Sequence, residues 1–442
     1  MRRKYAILGD VDWVLIGLYL ILVSLGLSNI YAAVYDVEHP MIFSLSTEYG
    51  KQFMWIGISL FFGLSILLLD GSFIKKNAYW VYGFTMLLLL LVLFTSPING
   101  ARSWFGIGSV GIQPSEFAKI GISLALAKYI AEMGSQFKEF KSKFRIGLIL
   151  GIPSILVLLQ PDAGTFIIFV SFVLVLYREG LSGNIILFGI VAVIVAVITL
   201  IVADNTFFIP FTKIKVTGKF GIFLFITLLG LVSIFMVKNY VIPRNRKSLY
   251  RVIIGGFLIS IVFVNFVEVG YTNILQSHQK ERIDLLLGKI VDPDGKGYNI
   301  NRSKAAIGSG GFMGNGFMQA KLANANQRHV PMQSTDFIFC TWSEERGFLG
   351  ASLLIGLYIG LMMKIITVAE RQRSRFTRIY AYCVLGIFFF HMLINIGMAI
   401  GLAPVIGIPL PFFSYGGSSM MSFTVLLFTL IKLDAERKNV LQ

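Results

Sequence analysis

The residues richest in chemistry are crowded into Asp292 to Phe317, DPDGKGYNINRSKAAIGSGGFMGNGF, a polar, glycine-dense stretch set between long apolar runs. Asp292 and Asp294 flank Pro293, and the Asp294-Gly295 step with Gly297 reads as a tight turn whose aspartates can bond their own backbone. Taken alone, DPDG is a common surface turn, but its neighbours support a second reading. Gly308, Gly310, Gly311, Gly314 and Gly316 let the backbone approach a ligand and turn N–H groups toward an anion. Arg282, Arg302 and Lys304 follow closely in sequence, and Arg102 lies in another loop. A carboxylate near cations and anion-binding backbone suits transfer from a phosphate-activated donor, one group taking a proton while others hold the leaving diphosphate. There is no GKS/T phosphate loop and no dinucleotide fingerprint after a strand, so nucleotide hydrolysis and redox chemistry have no support.

The elements that must position these groups are membrane helices. Hydrophobic residues make up 56% of the 442 and charged residues 14%, so the solvent is a bilayer and no soluble domain is needed. Apolar runs long enough to cross hydrocarbon as a helix lie near 11–35, 52–70, 77–95, 115–133, 145–160, 163–178, 184–203, 220–237, 250–268, 345–367, 378–401 and 415–432. The expected fold is therefore an all-α polytopic bundle of about twelve transmembrane helices. If MRRKY at the N-terminus is cytoplasmic, the inner connections carry Lys75-Lys76, Lys138 to Arg145, Arg244 to Arg251, Arg371 to Arg378 and Arg437-Lys438, as the positive-inside rule asks. Both termini are then cytoplasmic. The outer loops are 36–51, 96–113, 204–219, the long 270–335 and 402–414. The net charge of +16 reads as topology and contact with anionic membrane lipids, with nucleic acid not implied. The first apolar run is too long, and lacks the small-residue site, for a removable signal peptide. Cys340 and Cys383, the only two cysteines, support neither a disulfide framework nor a metal knuckle.

Polar groups inside spans are costly and suggest function, facing a bundle interior or a wet cavity. Glu116 and Lys119 stand three residues apart on one helical face after Pro114, a good first-turn proline; they read equally as a neutralising ion pair between helices. Pro161-Asp162 should break the run from Phe144 to Tyr177, with Asp162 either capping the next helix or acting in chemistry. Asp336, Glu344, Glu345 and Arg346 cluster where the long loop re-enters the membrane. His391, on an aromatic-rich helix, reads as a hydrogen-bonded packing residue.

Six segments in order give the chain a recognisable pattern: NGARSWFGIGSVGIQPSEFAK (Asn99 to Lys119), QPDAGT (Gln160 to Thr165), DPDGKGY (Asp292 to Tyr298), AIGSGG (Ala306 to Gly311), STDFIF (Ser334 to Phe339) and NIGMAIGLAPVIGIPLPFFSYGGSS (Asn395 to Ser419). Together they resemble the SEDS family of shape, elongation, division and sporulation proteins, in a form closer to its RodA-like elongation branch than to its FtsW-like division branch. The resemblance implies a polytopic peptidoglycan glycosyltransferase of the bacterial plasma membrane that polymerises lipid II at the outer face, working with a class B penicillin-binding protein and the elongation machinery. It puts the family's essential loop aspartate on Asp292, as general base toward the acceptor hydroxyl or as ligand of a divalent cation, Mg or Mn, serving the diphosphate. It also marks Arg102, Glu116, Lys119, Asp162, Asp336 and Asn395 as lining or bracing the central cavity. Arg102 is the best diphosphate candidate, since a guanidinium binds phosphate oxygens bidentately; Lys304 is the second cation on that side.

Two departures stand out. Where the family carries an acidic residue and a histidine before TDFIF, this chain has Met332 and Ser334, and EERG replaces EELG. The family pattern has ten helices, and 204–250 reads as an inserted transmembrane pair within one membrane domain spanning 1–442. A lipid-linked precursor flippase and a non-catalytic membrane scaffold are the competing readings. The flippase is favoured by the broken helix; under the scaffold, Asp292→Ala is silent.

Overall fold

A computed structural model describes residues 10–35, 41, 43–97, 101–107, 110–133, 139–202, 206–208, 215–274, 298–322 and 332–437, and positions 280, 283, 284, 287 and 289. In chain order the helices and strands are α1 (Trp13–Ala33), α2 (Glu48–Leu68), α3 (Gly71–Leu91), the hairpin β1 (Phe105–Ile107) and β2 (Val110–Ile112), α4 (Pro114–Met133), α5 (Phe140–Leu159), α6 (Ala163–Val170), α7 (Phe172–Arg178), α8 (Gly183–Val202), the hairpin β3 (Thr206–Phe208) and β4 (Lys215–Thr217), α9 (Gly218–Tyr240), α10 (Pro243–Val269), α11 (Tyr298–Ser309), α12 (Ile338–Glu370), α13 (Arg375–Ala399) and α14 (Gly417–Ala435). Every one of the twelve expected apolar runs is helical. By length and composition, ten helices among the described residues could cross a membrane. The other two segments are α4, which carries Glu116, Lys119, Lys128 and Glu132, and the short stretch Ala163–Arg178.

Helix starts follow local rules. Asp12 caps α1 by accepting from the Leu15 N–H, Thr47 caps α2 through Gly50, and Asp70 caps α3 through Ser72, each side-chain oxygen satisfying an N–H that has no partner within the helix. Pro114 and Pro243 sit in first turns, where a missing N–H costs nothing.

The chain divides into two compact units, 1–181 with 297–442, and 182–296. In the first, α4 packs against α3, α13 and α14, and α14 packs against α2. Lipid tails are as apolar as leucine, so close packing and interhelical hydrogen bonds hold such helices together. Gly121 shows the packing: a Cβ there would lie 2.3 Å from Thr85 Oγ1 and 3.1 Å from Tyr82 Cα. An aromatic cluster fills the centre. Phe412 meets Tyr19 edge-on at 5.0 Å and Phe388 at 5.3 Å, and Phe423 meets Phe388 at 5.8 Å. Such geometry sets the positive ring edge on a negative face.

At one end of this unit the helix termini are tied by charge. Asp12 lies 2.9 Å from Lys364 and 2.7 Å from Arg371, Arg371 also pairs with Asp434, and Glu179 lies 3.2 Å from Arg375. The starts of α1 and α13 and the ends of α12 and α14 therefore share that end.

The second unit holds α8, α9 and α10, packed on one another. The expected insertion, 204–250, lies inside this unit, which also takes in α8.

Candidate functional site

Asp162 accepts four hydrogen bonds. Its Oδ1 accepts from the Thr165 N–H at 3.0 Å, capping α6, and its Oδ2 accepts from Gln113 Nε2 at 3.0 Å, Ser115 Oγ at 3.0 Å and Thr165 Oγ1 at 2.8 Å. Four donors match the roughly four lone-pair positions of a carboxylate. Asp162 thus ties the start of α4 to the start of α6, and both flanking motifs, QPSE and DAGT, supply the donors.

One turn into α4, Lys119 is fully buried with Glu116. Lys119 Nζ lies 2.7 Å from Glu116 Oε2, 2.9 Å from His391 Nε2 and 4.7 Å from the Phe423 ring centre. His391 Nδ1 lies 3.0 Å from the Pro409 carbonyl, which can only accept. Nδ1 therefore carries the proton, and Nε2 offers its lone pair to the ammonium. Three directions of the ammonium are committed to a carboxylate, an imidazole and a ring face, so Lys119 is a brace between α4, α13 and α14. Sequence reading set His391 apart from Lys119; the available signal was that it is the sole histidine within the apolar runs.

The turn after α13 is held by Asn395, whose Nδ2 donates to the carbonyls of Asp336 at 2.9 Å and Ile408 at 2.7 Å. Ser414 Oγ donates to the Thr335 carbonyl at 2.7 Å. Asp336 is half-buried, and a Cβ at Gly407 would lie 3.2 Å from its Oδ2. Lys304 is exposed on α11, its chain end laid over Gly401, where a Cβ would meet Lys304 Cε at 2.2 Å. Gly401 has φ +79°, a conformation that itself favours glycine. Arg102 is exposed, with Nη1 3.3 Å from the Leu93 carbonyl.

The glycine-rich stretch has a different role from the one its composition suggests. At Gly347, φ 64° and ψ −163°, α12 kinks, and Gly310 to Gly316 pack backbone to backbone against the kink. Asn315 and Gly316 N–H groups donate to the Glu344 and Glu345 carbonyls at 3.0 and 2.9 Å. The N–H groups of Lys321 and Leu322 reach Glu344 Oε1 at 2.7 and 2.9 Å, and that of Met318 reaches Glu345 Oε1 at 3.0 Å. The anions these N–H groups meet are the protein's own. Arg346 pairs with Glu345 at 3.0 Å and stacks 3.9 Å over Trp342.

A cavity of about 310 Å³ opens in this unit, lined by Lys51, Trp55, Trp104, Gly111, Thr335 and Tyr415 among others. Three of the sequence motifs meet in it, through Trp104 and Gly111, Thr335, and Tyr415. Burial and then the Glu48 charge push the Tyr415 phenol up, so it remains a donor. Lys51, which sequence reading passed over, adds a cation to the wall.

Asp292 and Asp294 lie outside the described residues. Among the described residues no three metal-ligating side chains converge.

A family described as a cell cycle protein family, FtsW, RodA and SpoVE, matches residues 12–217 and 257–439. The chain is 33% identical over 438 residues to the peptidoglycan glycosyltransferase RodA of Treponema pallidum (strain Nichols), covering 97% of this chain and 98% of that one. It is 31% identical over 346 residues to the peptidoglycan glycosyltransferase MrdB of Escherichia coli (strain K12), covering 78% and 74%. Among solved structures, one of a peptidoglycan synthase complex, described as coordinating polymerization and crosslinking, matches with TM-score 0.63 at 24% identity, covering 97% of this chain and 98% of that one. The Thermus thermophilus rod shape determining protein RodA matches with TM-score 0.58 at 22% identity, 97% of each chain being covered. The structural likeness carries the fold.

Proposed function

The chain belongs to the FtsW, RodA and SpoVE family and is a peptidoglycan glycosyltransferase of its RodA-like branch, acting in cell elongation; from that premise we propose that it polymerises lipid II at the outer face of the bacterial plasma membrane. The observation that carries this is the 33% identity sustained over 97% of the chain. The proposed orientation puts both termini and the ion-paired end of the first unit in the cytoplasm, as its density of Lys and Arg favours.

In this reading Asp292 removes the proton from the acceptor sugar hydroxyl as that oxygen attacks the donor's anomeric carbon. The bond to the diphosphate oxygen breaks, undecaprenyl diphosphate leaves, and the centre inverts. Arg102 and Lys304, both exposed residues, take the charge that develops on the diphosphate. A divalent cation, Mg or Mn, would supply further neutralisation, held by Asp292 and the donor's own phosphate oxygens as is usual for Mg. Asp162, Glu116, Lys119, Asp336 and Asn395 hold the frame around this site. We assign the crosslinking partner to a class B penicillin-binding protein, since a relative in fold is a complex that couples polymerisation to crosslinking.

The test is polymerisation of labelled lipid II by the purified protein with its cognate penicillin-binding protein, comparing wild type with Asp292→Ala by product length. Glycan strands from wild type alone are expected. Strands of equal length from the variant would remove Asp292 from the mechanism, and none from either protein, with folded enzyme and active partner, would overturn lipid II polymerisation.

A further inference from the structure

The second unit contains a feature that the family match does not reach, since 218–256 falls outside it. Between Lys238 and Arg251, at the hairpin joining α9 to α10, stand Lys238, Arg244, Arg246, Lys247 and Arg251, with no acidic residue among them. All but Arg246 are exposed. Among the described residues none of the five has an ion-pair partner, whereas Arg178, Arg371, Arg375 and Arg378 of the first unit are all paired. Orientation in the membrane needs Lys and Arg on one side; it does not need five left uncompensated.

A groove of about 570 Å³ runs along the three helices of this unit, lined by Val195 and Val202 of α8, Gly221 and Ser233 of α9, and Val252 and Gly256 of α10 with their neighbours. From Gly221 to Ser233 it is about 18 Å long at helical rise, close to the roughly 15 Å of one leaflet's hydrocarbon. A Cβ at Gly221 or Gly256 would meet nothing within 4 Å, so the missing side chains leave open space. The two ends differ in charge. Near Gly221 and Val202, Lys219 of α9 and Glu268 of α10 neutralise one another. At the other end Val252 adjoins Arg251, and Ser233 is about 7.5 Å of helix from Lys238.

We propose that this unit is a binding site for one acidic phospholipid, its acyl chain in the groove and its phosphate on the Lys238 to Arg251 cations. The lipid's charge is complementary to the uncompensated end, and long Lys and Arg stems reach headgroups while their methylenes stay in hydrocarbon. The site would make the enzyme's membrane anchorage sensitive to the anionic lipid content of the leaflet.

Native mass spectrometry of the full-length protein in detergent, titrated separately with dioleoyl phosphatidylglycerol and dioleoyl phosphatidylcholine, tests this. Wild type is expected to bind the anionic lipid about tenfold more tightly. The variant combining Lys238→Ala, Arg244→Ala, Arg246→Ala, Lys247→Ala and Arg251→Ala should bind the two lipids equally. Gly256→Phe fills the groove without touching a cation and should weaken both lipids by the same factor. Equal binding of both lipids by wild type, a preference that survives the fivefold change, or undiminished binding by Gly256→Phe would each overturn the proposal. Polymerisation is not the readout, so the outcome is independent of the reaction assigned to Asp292.

Discussion

Replacing Lys119 by methionine keeps the length and apolar stem of the side chain and removes its charge. Glu116, only 4% exposed, would then lose the ammonium 2.7 Å away. Two magnitudes compete. If Lys119 acts only through an ordinary interhelical hydrogen bond, the one to His391 of α13, its loss costs about 0.6 kcal/mol. If it neutralises a buried charge, removing one partner costs about 3–5 kcal/mol. The full burial of Lys119, with a carboxylate, an imidazole lone pair and a ring face all directed at its ammonium, favours the second. With an unfolding entropy of about 2.1 cal/mol/K per residue over a unit of about 330 residues, 3–5 kcal/mol lowers Tm by about 4–7 °C. Adding Glu116→Gln to Lys119→Met removes the stranded charge and should recover most of that drop, since apolar or neutral replacements of buried pairs are often near neutral. The assay is thermal unfolding of the purified full-length protein in one detergent at a fixed scan rate, because unfolding of such proteins is commonly irreversible. A single variant within about 1 °C of wild type, or a double variant less stable than the single, would refute the reasoning.

Gly347→Ala places a Cβ 2.4 Å from the Gly314 nitrogen and 2.7 Å from Phe312 backbone atoms, at φ 64°. The strain alone costs about 1–3 kcal/mol, and neither neighbour is a side chain that can swing away. The monodisperse fraction on size exclusion should collapse, while Gly360→Ala in the same helix, where a Cβ meets nothing, should leave it unchanged; equal behaviour would refute the close-packing account. Burial pushes the Asp12 carboxyl up, but Lys364 and Arg371 together hold it below its ordinary 3.8. A depressed folded pKa means the contribution is present above that value and lost as pH falls through the lower one. The Tm gap between wild type and Asp12→Asn should therefore hold from pH 7 down to the ordinary value and narrow below it. A gap that widens on acidification would count against the assignment.

The architecture was legible because its signals are long and additive. An apolar run of about twenty residues has few alternatives to a membrane helix, and all twelve such runs are helices. Start signals such as Pro114 and Asp162 act over three or four residues and were equally readable. Contacts between distant segments were not. Nothing in the spacing of Glu116 and Lys119 reveals that the third member is His391, 272 residues away from Lys119, because that contact depends on how α4 meets α13. The glycine-dense stretch misled for a related reason. Glycines permit close approach without specifying what approaches, and the partner proved to be the α12 backbone with Glu344 and Glu345.

These arrangements divide the charges of the first unit into two sets with different chemistry. Asp162 has four donors, Lys119 three partners, and Glu344 and Glu345 are occupied by loop N–H groups. Groups so fully satisfied are poor at binding a ligand, because every new contact must displace an existing one at comparable cost. They are well suited to fixing where the connecting loops lie. Arg102 and Lys304 are different, being exposed cations on loops and helices that the buried set holds in place. Preorganised donors lower a barrier only when their supports do not move as charge develops. Under the proposed mechanism, loosening Lys119 should therefore affect turnover by misplacing the turn after α13, whereas removing Arg102 or Lys304 should affect it by weakening the hold on the diphosphate.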